Sequence, residues 1–393
     1  MNRSYFICNV FDDSTKVERG ITTDSPAAAK KVFSICRSLI SRNVKSVVVS
    51  LGRGSTSNTG KFFKTKISRI NSVPTIFLPY WDVFFLSNIF TFIALPFFIF
   101  SLNKKKGSKV YIVYNRLHYY LLGLAVGFLL RCRFFLDLED GFAKSTSCNP
   151  LVHIHNFLRN TMVDFFCKSG VFLACSALKS ETRITKKITC YGTLDDFITD
   201  DFNFNELGLT VLFGGSVCPD TGSDLLLSAI KLLRDKKESW VKDINFVITG
   251  KGSLSEFSKL EKDRTHPRVN LLGSLSQENY QKVLKKVHVG LALKPVNGSL
   301  ANTTFPSKVI EYASNKRLII TTNISDVEEV LSNGAVYLET NHPQELIEKL
   351  KWIVNNRNEA KKIAQLGFIL VSEKLSKEKV GRELKTFLFE GSK

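Results

Sequence analysis

The sequence predicts an α/β protein made of two doubly wound parallel sheets. Three observations carry that prediction. Short apolar runs recur along the chain without the strict alternation of a sheet that has one wet face. Stretches with helical periodicity separate them, the order expected of strand–helix–strand crossovers. The pattern halts at the polar stretch "DDFITDDFNFNE" (195–206) and then starts again. A chain of 393 residues also exceeds what one ordinary core serves, so two domains are expected.

In the first half "YFICNVF" (5–11) reads as a strand. "SPAAAKKVFSICRSLISRN" (25–43) reads as a helix, with Pro26 near its start and Val32, Ile35, Leu39 and Ile40 on one stripe. Further strands are expected at "SVVVSLG" (46–52), "TIFLPY" (75–80), "KVYIVYN" (109–115), "RFFLDLED" (133–140), "GVFLACS" (170–176) and "KKITCYG" (186–192). In the second half they are expected at 209–215, 244–252, 268–274, 288–295, 317–323 and 335–339. Helices at 222–234 and 277–287 are the clearest between them, and a final helix (375–390) has no strand after it.

Hydrophobic content of 44% and charged content of 23% are globular values. No repeat or low-complexity tract is present. The eight scattered cysteines form no C-x-x-C, which suits reduced thiols in a cytosolic protein. The N-terminus lacks the apolar core of a secretion signal. Net charge is +19, and residues 1–205 carry 27 Lys and Arg against 14 Asp and Glu. Such a basic half suits an anionic partner. The charge is dispersed and no RNA module is visible, so nucleic acid is not expected as that partner.

One segment stands apart. "VFFLSNIFTFIALPFFIFSLNKKKGSK" (83–109) is almost wholly apolar up to Leu102 and then runs into Lys104, Lys105 and Lys106. Its length permits a membrane span, but Asn88, Pro96 and a position between two strands of one sheet argue against it. Two readings stay open: a buried helix, or a helix in the membrane interface with its lysines on headgroups.

Chemistry-bearing segments gather at expected strand ends. In "FPSKVIEYASNKRLIITT" (305–322) Pro306 suits the first helical position. Ser307 and Lys308 then lie where unpaired N–H groups and the helix dipole favour an anion. Glu311 lies one turn on, on the same face. In "LFGGSVCPDTGSDLLL" the reading is strand, glycine turn, helix, with Gly214 and Gly215 allowing close backbone approach and Asp220 or Thr221 capping the helix. "DLEDG" (137–141) ends a strand and presents Glu139 and Asp140 where ligands of open sheets collect. A metal site from Asp137, Glu139 and Asp140 fits less well, because strand side chains alternate between faces. No metal is expected: the six histidines show no ligand spacing, and His153 and His155 are two apart. His118 follows a strand end and could line a site.

Taken in order, "LFGGSVCPDTG…LLLSAIKLL", "FVITGKG", "VNLLGSLSQENYQKVLKKVHVGLALKP" and "NTTFPSKVIEYASNKRLIITTN" resemble the donor-nucleotide domain of GT-B glycosyltransferases of the group 1 type. The first half is similar only in outline, through its first strand, the loop "ERGITTDSP" (18–26) and the "LEDG" strand end. The resemblance implies two Rossmann-like domains facing a central cleft. Residues 1–205 would bind the acceptor and 206–374 the sugar nucleotide, with 375–393 a helix that can pack back on the first domain. For the donor, a UDP- or GDP-sugar, it implies Glu311 on the ribose and Ser307 and Lys308, after Pro306, on the diphosphate. Gly214, Gly215 and Ser216 would lie alongside, and Ser274 near the base. Gly20, Thr22, Thr23, Asn115 and His118 are the implied acceptor contacts. Glu139 and Asp140 would position acceptor or sugar, and with Lys308 form the catalytic set.

Two departures from the family pattern matter. The basic residues often found at the positions of Ser216 and Thr221 are missing, and Thr303 stands where an acid is usual. Lys308, Lys251 and Lys294 are the candidates to supply the phosphate charge. The expected reaction is metal-independent transfer that retains anomeric configuration and survives EDTA. The leaving diphosphate is stabilised by a helix N-terminus and basic side chains. With the basic first half, the resemblance suggests a lipid-linked saccharide acceptor on an anionic inner-membrane surface, as in bacterial polysaccharide, O-antigen or capsule assembly. The alternatives are a sugar-nucleotide epimerase and a non-catalytic basic scaffold.

Overall fold

The computed structural model describes residues 1–22, 25–54, 59–83, 86–103, 107–141, 150–194, 208–236, 238–298 and 301–390. Thr23, the lysines 104–106 and the linker 195–207 lie outside the described residues. The chain forms two compact units, Met1–Asp195 with Leu375–Lys393, and Asp196–Lys374.

The strands of the first unit are β1 (Arg3–Cys8), β2 (Lys45–Ser50), β3 (Phe62–Phe63), β4 (Lys66–Ile70), β5 (Val73–Phe77), β6 (Tyr80–Trp81), β7 (Lys109–Tyr114), β8 (Arg133–Leu138), β9 (Gly170–Leu173) and β10 (Lys187–Thr189). Those of the second are β11 (Leu209–Val217), β12 (Ile244–Gly252), β13 (Arg268–Gly273), β14 (Val289–Ala292), β15 (Leu318–Thr322) and β16 (Val336–Leu338). The helices of the first unit begin with α1 (Asp13–Glu18), α2 (Pro26–Ile40), α3 (Leu86–Asn103), α4 (Leu121–Leu129) and α5 (Pro150–Phe166). The second unit holds α6 (Ser223–Asp235), α7 (Ser255–Asp263), α8 (Gln277–Leu284), α9 (Ser307–Ser314), α10 (Val327–Leu331), α11 (Pro343–Asn355) and α12 (Arg357–Leu375). The chain then returns to the first unit as α13 (Lys377–Phe389).

The first sheet runs β10-β9-β8-β7-β1-β2-β5-β4. All its pairings are parallel except β4 on β5. That antiparallel edge and the small β3–β6 ribbon are not visible in the sequence, because β4 exposes Ile67 and carries no apolar run. The strand expected at 75–80 is interrupted. Pro79 has no N–H to give a ladder, and β5 ends at Phe77. Against one side of the sheet pack Val32, Ile35 and Leu39 of α2 with Val380, Leu384 and Leu388 of α13. A Cβ at Gly381 would lie 2.3 Å from the Ser38 carbonyl oxygen, so the α13 glycine sets how closely the two helices approach. On the other side, a Cβ at Gly127 of α4 would lie 2.4 Å from the Phe134 ring of β8, and Phe98 of α3 meets Tyr5 of β1 edge-on. α3 is therefore neither wholly buried nor free of the sheet. Thr91, Leu95, Ile99 and Leu102 face inward, whereas Ile89, Ile93 and Phe97 face outward.

The second sheet runs β13-β12-β11-β14-β15-β16, all parallel. Its core joins Val211 and Phe213 of β11 to Leu226 and Ile230 of α6 and to Leu346 and Leu350 of α11. The chain moves outward from β11 to β13 and then returns to lay β14 on the other side of β11. The order thus reverses between β11 and β14, the place where open α/β sheets bind ligands.

Candidate active site

The carboxyl end of β11 departs from the sequence expectation. Gly214 and Gly215 do not form the turn. They continue the strand to Val217 and pair in register with Thr249 and Gly250 of β12. Gly215 and Gly250 have φ of 120° and 139°, and a Cβ at Gly250 would lie 1.6 Å from the Gly215 carbonyl oxygen. Only glycine lets the two strands close at this point. The turn lies further on. Thr221 accepts from the Cys218 amide and closes the 219–221 turn, so neither it nor Asp220 caps α6. Gly222, left-handed at φ 85°, takes that N-cap place.

The register also places Lys251 directly beside Ser216. A lysine on the neighbouring strand therefore stands next to the position where the sequence lacks a basic residue. Lys294 follows β14, its carbonyl accepting from Thr322 Oγ1 at 2.6 Å, and Ser274 follows β13 as an exposed residue. All these residues lie at the carboxyl edge of the second sheet.

The loop after β14 leads into α9 at the same edge. Pro306 is the N-cap of α9, one position earlier than expected, and Ser307 and Lys308 open the helix. The first N–H groups of any helix have no intrahelical acceptor. Lys308 Nζ donates to Glu311 Oε2 at 2.6 Å and to the Tyr280 hydroxyl at 3.1 Å, and sits 4.5 Å from the Tyr280 ring centre. Tyr280 donates to the same Glu311 oxygen at 3.0 Å. The cluster rests on β11: a Cβ at Gly214 would come within 3.1 Å of the Tyr280 hydroxyl and 3.4 Å of the Tyr312 hydroxyl. A Cβ at Gly215 would lie 3.5 Å from Lys308 Cε. Burial, the neighbouring Tyr312 and the Glu311 carboxylate push the Tyr280 hydroxyl well above its ordinary range, so it stays a neutral donor.

The structure thus joins Gly214, Gly215, Lys308 and Glu311 in one cluster, and adds Tyr280. Tyr280 went unnoticed in the sequence, where its signal is a tyrosine on the inward stripe of α8 together with Leu284. The hydroxyls of Thr303 and Thr304, just before α9, are shielded from solvent and have no hydrogen-bond partner. They too were not singled out as ligand contacts.

In the first unit Asp137 is fully buried at the end of β8, and Lys31 of α2 donates to its Oδ1 at 3.2 Å and also to Glu139. Asp137 and Glu139 therefore share a face, as residues two apart on a strand do, and the set includes an acid that the sequence reading had put aside. Burial raises the Asp137 carboxyl above the usual carboxylate range against the pull of Lys31, with Glu139 adding to the rise. Burial opposes the Lys31 charge, but the two carboxylates hold its pKa well above the usual lysine value. Asp140 is exposed just beyond. Asn115, at φ 57°, donates its amide to the Asp137 carbonyl at 2.7 Å and so lies at the same edge. His118 sits among rings, 5.9 Å from Phe92 and 6.3 Å from His155. Burial, Arg53, His155 and Arg159 lower its pKa. Gly20 and Thr22 follow α1, exposed, with Gly20 left-handed at φ 62°.

A sheet order that reverses beside a glycine-lined strand end, with a lysine and a carboxylate on the helix that follows, is a place where an open α/β sheet can take an anionic ligand. Residues 208–356 match the family model for "Glycosyl transferases group 1". Over 150 residues the chain is 30% identical to the phosphatidylinositol N-acetylglucosaminyltransferase GPI3 subunit of Saccharomyces cerevisiae, a match covering 37% of this chain and 31% of that protein. Over 172 residues it is 26% identical to the uncharacterized glycosyltransferase MJ1178 of Methanocaldococcus jannaschii, covering 42% of each. The chain thus spans about a third of the length of the yeast relative. Full-length likeness comes from solved structures. Anabaena Alr3699/HepE in complex with UDP has a TM-score of 0.66 at 11% identity, covering 99% of both chains. The trehalose-6-phosphate synthase OtsA has a TM-score of 0.69 at 8% identity, covering all of both chains. The fold is GT-B, with two Rossmann-like α/β domains.

Proposed function

We propose that the protein is a glycosyltransferase that moves a sugar from a nucleoside-diphosphate sugar to a hydroxyl of a lipid-linked saccharide, without a metal ion and with retention of configuration. The observation that carries the proposal is the Lys308–Glu311–Tyr280 cluster against Gly214 and Gly215, inside the stretch that matches the family model. An ammonium group has three N–H donors, and two of those of Lys308 are engaged with Glu311 and Tyr280. The third, with the opening N–H groups of α9, meets the diphosphate, and the Glu311 carboxylate accepts from the pentose hydroxyls. Lys251 supplies charge where Ser216 cannot. A relative in fold is known with UDP bound, and a relative in sequence is named for transfer to phosphatidylinositol. Both support the reading of donor and acceptor.

In the reaction the bond from the anomeric carbon to the diphosphate oxygen breaks as the bond to the acceptor oxygen forms. The acceptor proton passes to the departing phosphate on the same face. Positive groups already in place stabilise the charge that develops, which is worth several kcal/mol in such sites. Glu139, held by Lys31, and Asp140 orient the acceptor. A bacterial setting, in surface polysaccharide assembly at the cytoplasmic face of the inner membrane, fits this acceptor and the basic first half.

Calorimetric titration with UDP and GDP tests the donor reading. One of the two binds the wild type, and Lys308→Ala weakens it about tenfold or more, as loss of a charge-assisted contact should. A wild type that binds neither nucleotide is the non-catalytic scaffold instead.

A further inference from the structure

We infer that the outward face of α3, α4 and α5 is a docking surface for an anionic phospholipid bilayer, and that these helices sink into its headgroup layer without crossing it. The inference deepens the lipid-linked acceptor reading, on which its purpose rests, by naming the surface that meets the lipid.

The first observation is where the exposed apolar side chains are. α3 carries two apolar stripes. Leu95 and Ile99 are fully buried toward the sheet, whereas Ile89, Ile93, Phe97 and Phe100 point to solvent, Phe97 at 71% exposure. At 100° per residue the two stripes lie about 180° apart, so the outer one is not a ragged margin of the inner one. α4 adds Leu129, 80% exposed, and α5 adds Phe157 and Phe165 at 58% and 57%. α4 lies between α3 and α5 and packs against both, so the three outer faces form one surface. Among the described residues, 13 of the 23 exposed large hydrophobic side chains lie on these three helices. Scattered single residues need no explanation, but a surface of this kind does.

The second observation is charge. From Val83 to Leu136 the chain has no Asp or Glu and seven Lys and Arg, of which Lys104, Lys105 and Lys106 lie outside the described residues, Arg116 pairs with Asp164 and Arg133 donates to the Leu388 carbonyl of α13. The single acid of α5, Asp164, is turned inward, where it accepts from Arg116 Nε at 3.0 Å, Arg116 Nη2 at 3.1 Å and Thr182 at 2.8 Å. The three helices therefore present no exposed carboxylate. At the margins stand Arg131, exposed just after α4, Lys168, whose Nζ lies 5.2 Å from the Phe128 ring, and Arg53, 3.9 Å from the Tyr119 ring. Long basic side chains laid along rings place their charge at the headgroup level while their stems stay apolar. A second copy of this chain is a poor occupant, because two such faces would set like charges against each other. An anionic bilayer complements both the apolar area and its positive margin.

The inner stripe explains why α3 does not span. A Cβ at Gly123 of α4 would come within 2.7 Å of Leu95, and Phe98 packs on Tyr5 of the central strand. Pulling α3 out of the unit would uncover that side of the sheet.

Flotation of the full-length protein with phosphatidylcholine vesicles, with and without phosphatidylglycerol, tests the inference. The wild type floats with the anionic vesicles, and part of it stays bound at high salt. The double variant Phe97→Glu with Phe157→Glu loses more than about tenfold in partitioning, since two phenyl groups no longer enter lipid. Both positions are exposed, so the variant keeps its circular dichroism and its nucleotide binding. Those two readings separate a failed docking face from a failed donor site. The inference is overturned by a wild type that stays at the bottom with anionic vesicles, or by a variant that floats as the wild type does. Sedimentation showing a dimer that the double variant converts to monomer would give the face to a second copy and overturn it equally.

Discussion

Lys308 and Glu311 are legible as a pair from their spacing of three, but the third member of their cluster is not. Tyr280 lies 31 residues before Glu311, and only the fold brings its hydroxyl to the carboxylate. Asp137 shows the same limit: it pairs with Lys31, 106 residues away. Side chains one turn apart can be read in a sequence, whereas those joined by a crossover cannot. A further buried group at this scale makes a pH prediction. His288 Nδ1 accepts from the Thr210 amide at 2.9 Å, which fixes a neutral ring at the junction of β11 and β14. Burial, Arg357 and Arg317 lower its pKa to about 4 from 6.5. Between those values the unfolded chain binds a proton that the folded one refuses. The stabilisation is thus present above pH 6.5 and is lost as pH falls toward 4, amounting to about 3 kcal/mol. Urea unfolding across that window should show the decline, and His288→Asn should flatten it. An unchanged slope in the variant would remove His288 from this role.

At the scale of elements, the parallel strands were the most legible feature because strands buried on both faces leave continuous apolar runs. What failed were the edges and the turns. β4 has water on one side and, among the described residues, no partner strand beyond it, so its sequence carries no such run. The glycines of β11 were read as a turn because glycine usually marks one. Here they serve the close approach of two strands, a tertiary demand with no local signature. This assignment predicts that Gly250→Ala destabilises the protein by about 2–4 kcal/mol, since the methyl meets the Gly215 carbonyl in a backbone conformation that alanine avoids. It should also weaken nucleotide binding, by moving the Lys251–Ser216 strand ends apart. Urea unfolding and calorimetry read the two effects, and wild-type values in both would restore the turn. For α3, composition left burial and interface both open. Its two opposite stripes show burial on one side of the helix and exposed apolar side chains on the other.

At the scale of the whole molecule, two α/β units were expected from the restart of the pattern near residue 206, and the likeness to full-length GT-B structures agrees. The charge asymmetry was also legible, but its meaning was not. Dispersed in sequence, Arg53, Arg131 and Lys168 come to border one apolar surface only when the fold gathers α3, α4 and α5, with their one acid turned inward. The central claim concerns the other unit, and a crystal structure with UDP or GDP bound tests it most directly. The diphosphate should lie within hydrogen-bond reach of the Ser307 or Lys308 amide and of Lys308 Nζ, with the Glu311 carboxylate on the pentose. A nucleotide bound elsewhere, with Lys308, Glu311 and Tyr280 still joined only to one another, would contradict the account.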